Sequence, residues 1–171
     1  MDMSPLVADE TFSDVLAANA AYAEDFQHKG LAPVAGRGLA VVTCMDSRIE
    51  PLTMLGLRPG EAKIIRNAGA RVTDEVLGTL VLAAHLLGVT RVMVVAHTSC
   101  KMSSASAEEV FQAIEHSGVD ARSLDFAMVE DQERALERDI ERIRHWPFLP
   151  RSLVAAGFVY DVDNGRVKHI C

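Results

Sequence analysis

The chain has 171 residues, 49% of them hydrophobic and 24% charged, a balance that fits a soluble globular protein and excludes a disordered tail or a membrane protein. Acidic residues outnumber basic ones by 24 to 17, so the mean field repels phosphate backbones and anionic lipid, and neither nucleic acid nor membrane is an expected partner. Three cysteines are too few, and odd in number, for a secreted disulfide framework; thiols of a reducing compartment are more often metal-binding, catalytic or buried.

A chain of this length buries about two thirds of its unfolded surface around one core, so a single domain over residues 1–171 is expected, with a helical arm over about the first 30 residues. The longest apolar stretch, 76–89, is interrupted by Gly78, Thr79, His85 and Gly88 and is too short to span a bilayer. Asp2, Asp9 and Glu10 stand where a secretory signal needs basic residues before an apolar run, which makes a cytoplasmic protein the expectation. Residues 11–26 place Phe12, Val15, Leu16, Ala20, Ala23 and Phe26 mostly three or four apart, the spacing of an amphipathic helix, although Asn19 falls on the same face. This helix suits either its own domain or a partner subunit. Residues 29–38, rich in glycine, form a loop.

Leu39-Ala40-Val41-Val42-Thr43 reads as a strand buried on both faces, and it delivers Cys44 at its carboxyl end. Residues 48–57 read as a short helix with Pro51 in its first turn, and residues 62–65 as a second strand followed by the polar turn Arg66-Asn67-Ala68-Gly69. Thr73 caps a helix to about residue 87, with Asp74 and Glu75 in its first turn and Gly88 beyond its end. Residues 91–96 are the third buried strand, delivering His97. Ser106 and Glu109 make a capping box for a helix toward His116, and 124–145 reads as a long amphipathic helix stopped before Pro147. A strand over 154–162 then pairs with 166–170 through Asp163-Asn164-Gly165, whose Asn-Gly suits a type I′ turn. The terminal Cys171 is expected to be a solvent-exposed thiol without function.

Strands alternating with helices imply an α/β fold: a mainly parallel central sheet flanked by helices on both faces, with a C-terminal antiparallel hairpin. Ligands of such sheets bind beyond the carboxyl ends of the strands, where strand order reverses, and Cys44, Asn67 and His97 all fall at that edge. Singly, Cys44 would be an inert small hydrophobe and His97 a satisfied polar group. Together with Cys100 they are two thiolates and an imidazole, a donor set suited to Zn²⁺, and three protein ligands leave a fourth position open as in catalytic sites. Asp46 has the reach to accept a hydrogen bond from water on the metal or to occupy the open position, and Arg48 can hold it bidentately; without a metal the pair is a loop salt bridge. His28, His85, His116, His145 and His169 show no ligand spacing.

At these residues the chain resembles the β-class carbonic anhydrases, and its short length resembles their compact bacterial branch. The resemblance rests on Cys-x-Asp-x-Arg at Cys44, Asp46 and Arg48, then Arg66-Asn67-Ala68-Gly69, then His-Thr-x-Cys at His97 to Cys100. It extends over about residues 39–102 and, more loosely, the strand Gly157-Phe158-Val159-Tyr160-Asp161-Val162. It implies zinc held by Cys44, His97 and Cys100, an Asp46–Arg48 catalytic dyad, a pocket bordered by Asn67, Ala68 and Gly69, and reversible hydration of carbon dioxide to bicarbonate by zinc-bound hydroxide. It also implies a dimer or tetramer in which the N-terminal helix embraces a partner. A related branch of the same fold and metal site hydrolyses carbonyl sulfide or carbon disulfide, which stands as the alternative, with a non-catalytic zinc module as the second. Family members usually carry Gly after the second ligand Cys; Lys101 stands here, which would forbid a left-handed backbone at that position and add positive charge near the metal.

Overall fold

The computed structural model describes residues 11–124, 126–129 and 131–171. The chain divides into two units, one ending at Ala32 and one spanning Pro33–Cys171. The first contains helix α1 (Ser13–Glu24), none of whose residues is buried. Phe12, Val15, Leu16, Tyr22 and Phe26 are all exposed within that unit. The acidic residues noted at positions 2, 9 and 10 lie outside the described residues.

In the second unit the apolar run ending at Cys44 forms β1 (Leu39–Cys44), buried at every position. Its one hydroxyl is satisfied, because Thr43 Oγ1 donates to Val95 O at 2.9 Å. The chain continues through α2 (Pro51–Met54), β2 (Ala62–Asn67), a 3₁₀ turn (Ala68–Ala70), α3 (Asp74–Leu86) and β3 (Arg91–His97). There follow α4 (Lys101–Ser104), α5 (Ala107–Glu115), α6 (Gln132–His145), β4 (Val154–Tyr160) and β5 (Val167–His169). The five strands are ordered β2-β1-β3-β4-β5, parallel except for the β4–β5 pair.

That order explains how the helices are shared between the faces. Crossovers between parallel strands keep one hand, so the step from β1 outward to β2 and the steps in the opposite direction to β3 and β4 put their connections on opposite faces. Accordingly α3 and α6 pack together on Ala40, Val42, Val92 and Val94. Among the described residues, the other face, carrying Leu39, Val41 and Val95, is packed from outside the sheet by Met54 of α2 and the following Leu55 and Leu57. Among the described residues no helix is long and apolar enough to cross a membrane.

Several expected elements change on folding. Only Pro51–Met54 of the expected 48–57 helix is helical. Arg48 N donates to the Asp46 carboxylate and Ile49 N to Asp46 O, holding 46–49 in a turn, and Gly56 at φ 63° ends the helix early. The long helix begins at Gln132 rather than 124, because the Asp131 side chain caps it by accepting from Arg134 N. Residues 126–129 run as irregular chain with Ala127 at φ 49°; positions 125 and 130 of the expected helix lie outside the described residues. The hairpin turn is wider than type I′: Asp161 N donates to Arg166 O and Gly165 N to Asp161 O, and Gly165 but not Asn164 has positive φ. The Asp161 carboxylate sets that width by accepting from Asp163 N and Asn164 Nδ2. Thr73 and the Ser106–Glu109 capping box act as expected.

Cys171 is not a free tail. Its carbonyl accepts from Gly157 N at 2.7 Å, Ile170 N donates to Gly157 O at 2.8 Å, and its side chain packs on the main core. Gly157 makes the room: a Cβ there would lie 2.5 Å from Leu136 Cδ2 and 2.8 Å from Cys171 Sγ. Gly157→Ala therefore overpacks the α6–β4 contact and is expected to cost about 1–3 kcal/mol, read as a lower urea midpoint at unchanged m-value.

Candidate metal centre

β1 and β3 lie side by side in register from Leu39 opposite Arg91 to Thr43 opposite Val95, and the chain leaves them on opposite sides. Their carboxyl ends thus face the crevice at the point of reversal. Cys44 is the last residue of β1, His97 the last of β3, and Cys100 stands immediately before α4. The sulfurs and an imidazole nitrogen of these three buried residues lie within 4.8 Å of one another, the single such metal-holding group among the described residues. The hairpin of chain between His97 and Cys100 requires Ser99 in the left-handed region, at φ 53°.

The imidazole is the decisive part of the geometry. His97 Nδ1 lies 2.8 Å from Thr98 O, and an oxygen acceptor there places the ring proton on Nδ1 and leaves Nε2 as a lone pair. His97 is 1% exposed, and Nε2 has no hydrogen-bond partner. Asp46 Oδ2 stands 3.8 Å from it, too far for a hydrogen bond. An unpartnered buried nitrogen is costly, and one facing two cysteine sulfurs has the donor set of a tetrahedral metal site with one position left over. Thr98 is itself fixed by the end of β4: its N–H donates to Tyr160 O at 2.9 Å and its hydroxyl accepts from Val162 N at 3.1 Å. Gln132 Nε2 donates to His97 O at 2.9 Å, tying α6 to the same strand end. Burial pushes the Cys100 thiol up, while the Met102 amide works against that rise.

Asp46 and Arg48 form the fork expected of them: Nε reaches Oδ1 at 2.9 Å and Nη2 reaches Oδ2 at 2.7 Å. The Arg48 guanidinium, helped by the Arg48 amide, holds the Asp46 carboxyl well below the usual carboxylate range. Arg48 Nη2 also donates to Ser99 O at 3.0 Å, linking the two halves of the site. Asn67 is turned inward on its own loop, its side chain accepting from Arg71 N at 2.9 Å and donating to Arg71 O at 2.7 Å. It shapes the wall rather than presenting an amide to the crevice. Ala68 and Gly69 follow, with Gly69 at φ 80° and its N–H 3.4 Å from Cys44 Sγ. Lys101 causes no conflict, because it opens α4 in right-handed backbone and its side chain is exposed. Arg66 has a part that sequence reasoning did not assign. Its guanidinium donates to Cys44 O at 3.0 Å and Asp46 O at 2.7 Å, clamping the chain between them. A cation at the carboxyl end of the neighbouring strand, opposite Thr43, was the available signal.

The pattern of the carbonic anhydrase family matches residues 39–167, three quarters of the chain. The chain belongs to the β-carbonic anhydrase family. Within it, the chain is an enzyme, a lyase of the carbonate dehydratase type. β-Carbonic anhydrase 1 of Mycobacterium tuberculosis is 33% identical over 158 residues, covering 92% of this chain and 96% of that protein. A crystal structure of carbonic anhydrase from Streptococcus mutans superposes with a TM-score of 0.88 at 35% identity over the whole of both chains. A carbon disulfide hydrolase of Acidianus is 30% identical over 157 residues, covering 77% of this chain and 76% of that protein. Arg66→Ala, which leaves the carbonyls of Cys44 and Asp46 without their cation, is expected to lower stability by about 1 kcal/mol in urea unfolding.

Proposed function

We propose that this β-carbonic anhydrase catalyses the reversible hydration of carbon dioxide to bicarbonate and a proton at a zinc centre held by Cys44, His97 and Cys100. The observation that carries this reading is the buried, unpartnered His97 Nε2 facing two buried thiols. Bound there, Zn²⁺ supplies the Lewis acidity that lowers the pKa of water from about 15.7 to about 7. The residues around it set what that acidity can do. Thr98 O holds the imidazole proton at Nδ1, so His97 offers the Nε2 lone pair toward the two sulfurs. Asp46, kept ionised by Arg48, is too weak a base to store a proton; it serves as a fixed acceptor that orients the nucleophile's O–H. Because its oxygens are engaged by Arg48, a move of Asp46 into the fourth position would sacrifice that fork, which favours an open site over a non-catalytic zinc module. Ala68 contributes only a methyl group and Gly69 no side chain beside Cys44, which suits a small linear substrate.

The 30% identity to a carbon disulfide hydrolase supports hydrolysis of carbon disulfide or carbonyl sulfide as the second reading, since the same nucleophile attacks the same central carbon. Stopped-flow carbon dioxide hydration, run beside sulfide release from both sulfur substrates, separates the two: proton release from carbon dioxide is expected, and activity on the sulfur substrates alone overturns the first reading. Cys44→Ser and His97→Ala are expected to lose both zinc and activity after dialysis, and stoichiometric zinc in Cys44→Ser would overturn the ligand assignment. Asp46→Asn is expected to retain zinc while turnover falls by about 10²-fold or more.

The same reading includes self-association of one catalytic domain through its N-terminal arm. Helix α1 buries no residue, exposes five large apolar or aromatic side chains in and beside it, and carries Asp14 and Glu24. The thinly covered face of the sheet holds an apolar groove of about 360 Å³ lined by Leu39, Leu55, Met93 and Phe158 together with Arg37 and Arg91. An acidic, apolar helix from a second copy complements that groove in both respects. Sedimentation is expected to show a dimer or larger for the full chain and a monomer once residues 1–32 are removed.

A further inference from the structure

Helix α6 buries a carboxylate in mid-helix, where neither helix capping nor the proposed reaction calls for one. Asp139 is 2% exposed. It accepts from Arg71 Nε at 2.8 Å, Arg71 Nη2 at 3.1 Å and Val72 N at 3.1 Å. Arg71 Nη1 reaches on to Ala127 O at 3.1 Å. Arg71 is thus held at its side chain by Asp139 and at its backbone by both ends of the Asn67 amide. Between these two anchors lie Gly69 at φ 80° and Ala70 at φ 59°. Ala70 is buried against Cys44 and Cys100. An alanine in the left-handed region persists only where its surroundings over-determine it. Replacing a buried ion pair with well-packed apolar groups is often neutral for stability, so stability alone does not account for this one.

We infer that the Arg71–Asp139 ion pair is a positioning device that holds the left-handed 69–70 backbone so that the Gly69 N–H points at the Cys44 sulfur, tuning that sulfur as a metal ligand. The inference rests on Cys44 being a ligand. An N–H donor draws electron density from a thiolate, so the pair acts on the metal's donor strength from outside the ligand set. It also joins α6 to the site at a second point, beyond the Gln132 contact with His97 O.

The test uses full-length protein loaded with Co²⁺, whose sulfur-to-metal charge-transfer band reports the thiolate, and amide hydrogen exchange at Gly69. Two variants are compared with wild type: Asp139→Asn, which keeps the shape and loses the charge, and the apolar double variant Arg71→Met with Asp139→Leu, which removes the pair without stranding either charge. In both, the Gly69 amide is expected to exchange about ten-fold faster or more, and the band to move to longer wavelength as the sulfur loses its donor. The double variant keeps its thermal midpoint near that of wild type, which separates positioning from bulk stability. Wild-type exchange and an unmoved band in the well-folded double variant would overturn the inference. Absence of any charge-transfer band in wild type would instead overturn the reading of Cys44 as a ligand, and this inference with it.

Discussion

The parallel pairing of β1 with β3 is the constraint on which the site depends. Two strands that are adjacent in space but separated by a whole β-strand and two helices in sequence end at the same level, with Thr43 opposite Val95. Cys44, one residue beyond Thr43, and His97, two beyond Val95, then face the gap left by the reversal of winding. A slip of one residue in this register would turn Cys44 and the alternate apolar side chains of β1 to the opposite face. The uninterrupted burial of β1 makes such a slip costly, since both faces are packed and both are specific. The hydrophobic register therefore places Cys44 and His97, and the polar residues around them refine what the register has already placed.

Around that seam the polar contacts form two shells with different jobs. Arg48 and Arg66 act on the chain carrying Cys44: one forks onto the Asp46 carboxylate and reaches Ser99 O, the other clamps the carbonyls of Cys44 and Asp46. Thr98, Gln132 and the end of β4 act on the chain carrying His97, each contact involving at least one main-chain atom. The first shell sets charge, and the second sets the direction of one lone pair.

Much of this was legible in the sequence because it rests on short-range rules. Apolar runs ending at Cys44 and His97 declared buried parallel strands, Thr73 and the Ser106–Glu109 box declared helix starts, and Cys-x-Asp-x-Arg with His-x-x-Cys declared a donor set. The failures share one cause: competing local hydrogen bonds and long-range contacts decide where a periodic pattern stops. The pattern over 124–145 continues through residues whose backbone is claimed instead by the Asp131 cap and by Arg71 at Ala127. An Asn-Gly pair favours a tight turn until Asp161, three residues before the Asn, claims the Asp163 N–H and the Asn164 side-chain amide. Cys171 reads as a loose end because nothing in its own neighbourhood announces the space that Gly157 leaves for it on a strand. Asp139 and Arg71, 68 residues apart, carry no periodic signal at all.

The left-handed Ser99 between His97 and Cys100 bears on kinetics. It brings His97 and Cys100 together on one stretch of backbone, while Cys44 belongs to another strand. An ion held by all three would bridge two strands that are far apart in sequence, so its release would require the carboxyl ends of β1 and β3 to part. The burial of β1 at every position and of Val94 to His97 on β3 resists that opening.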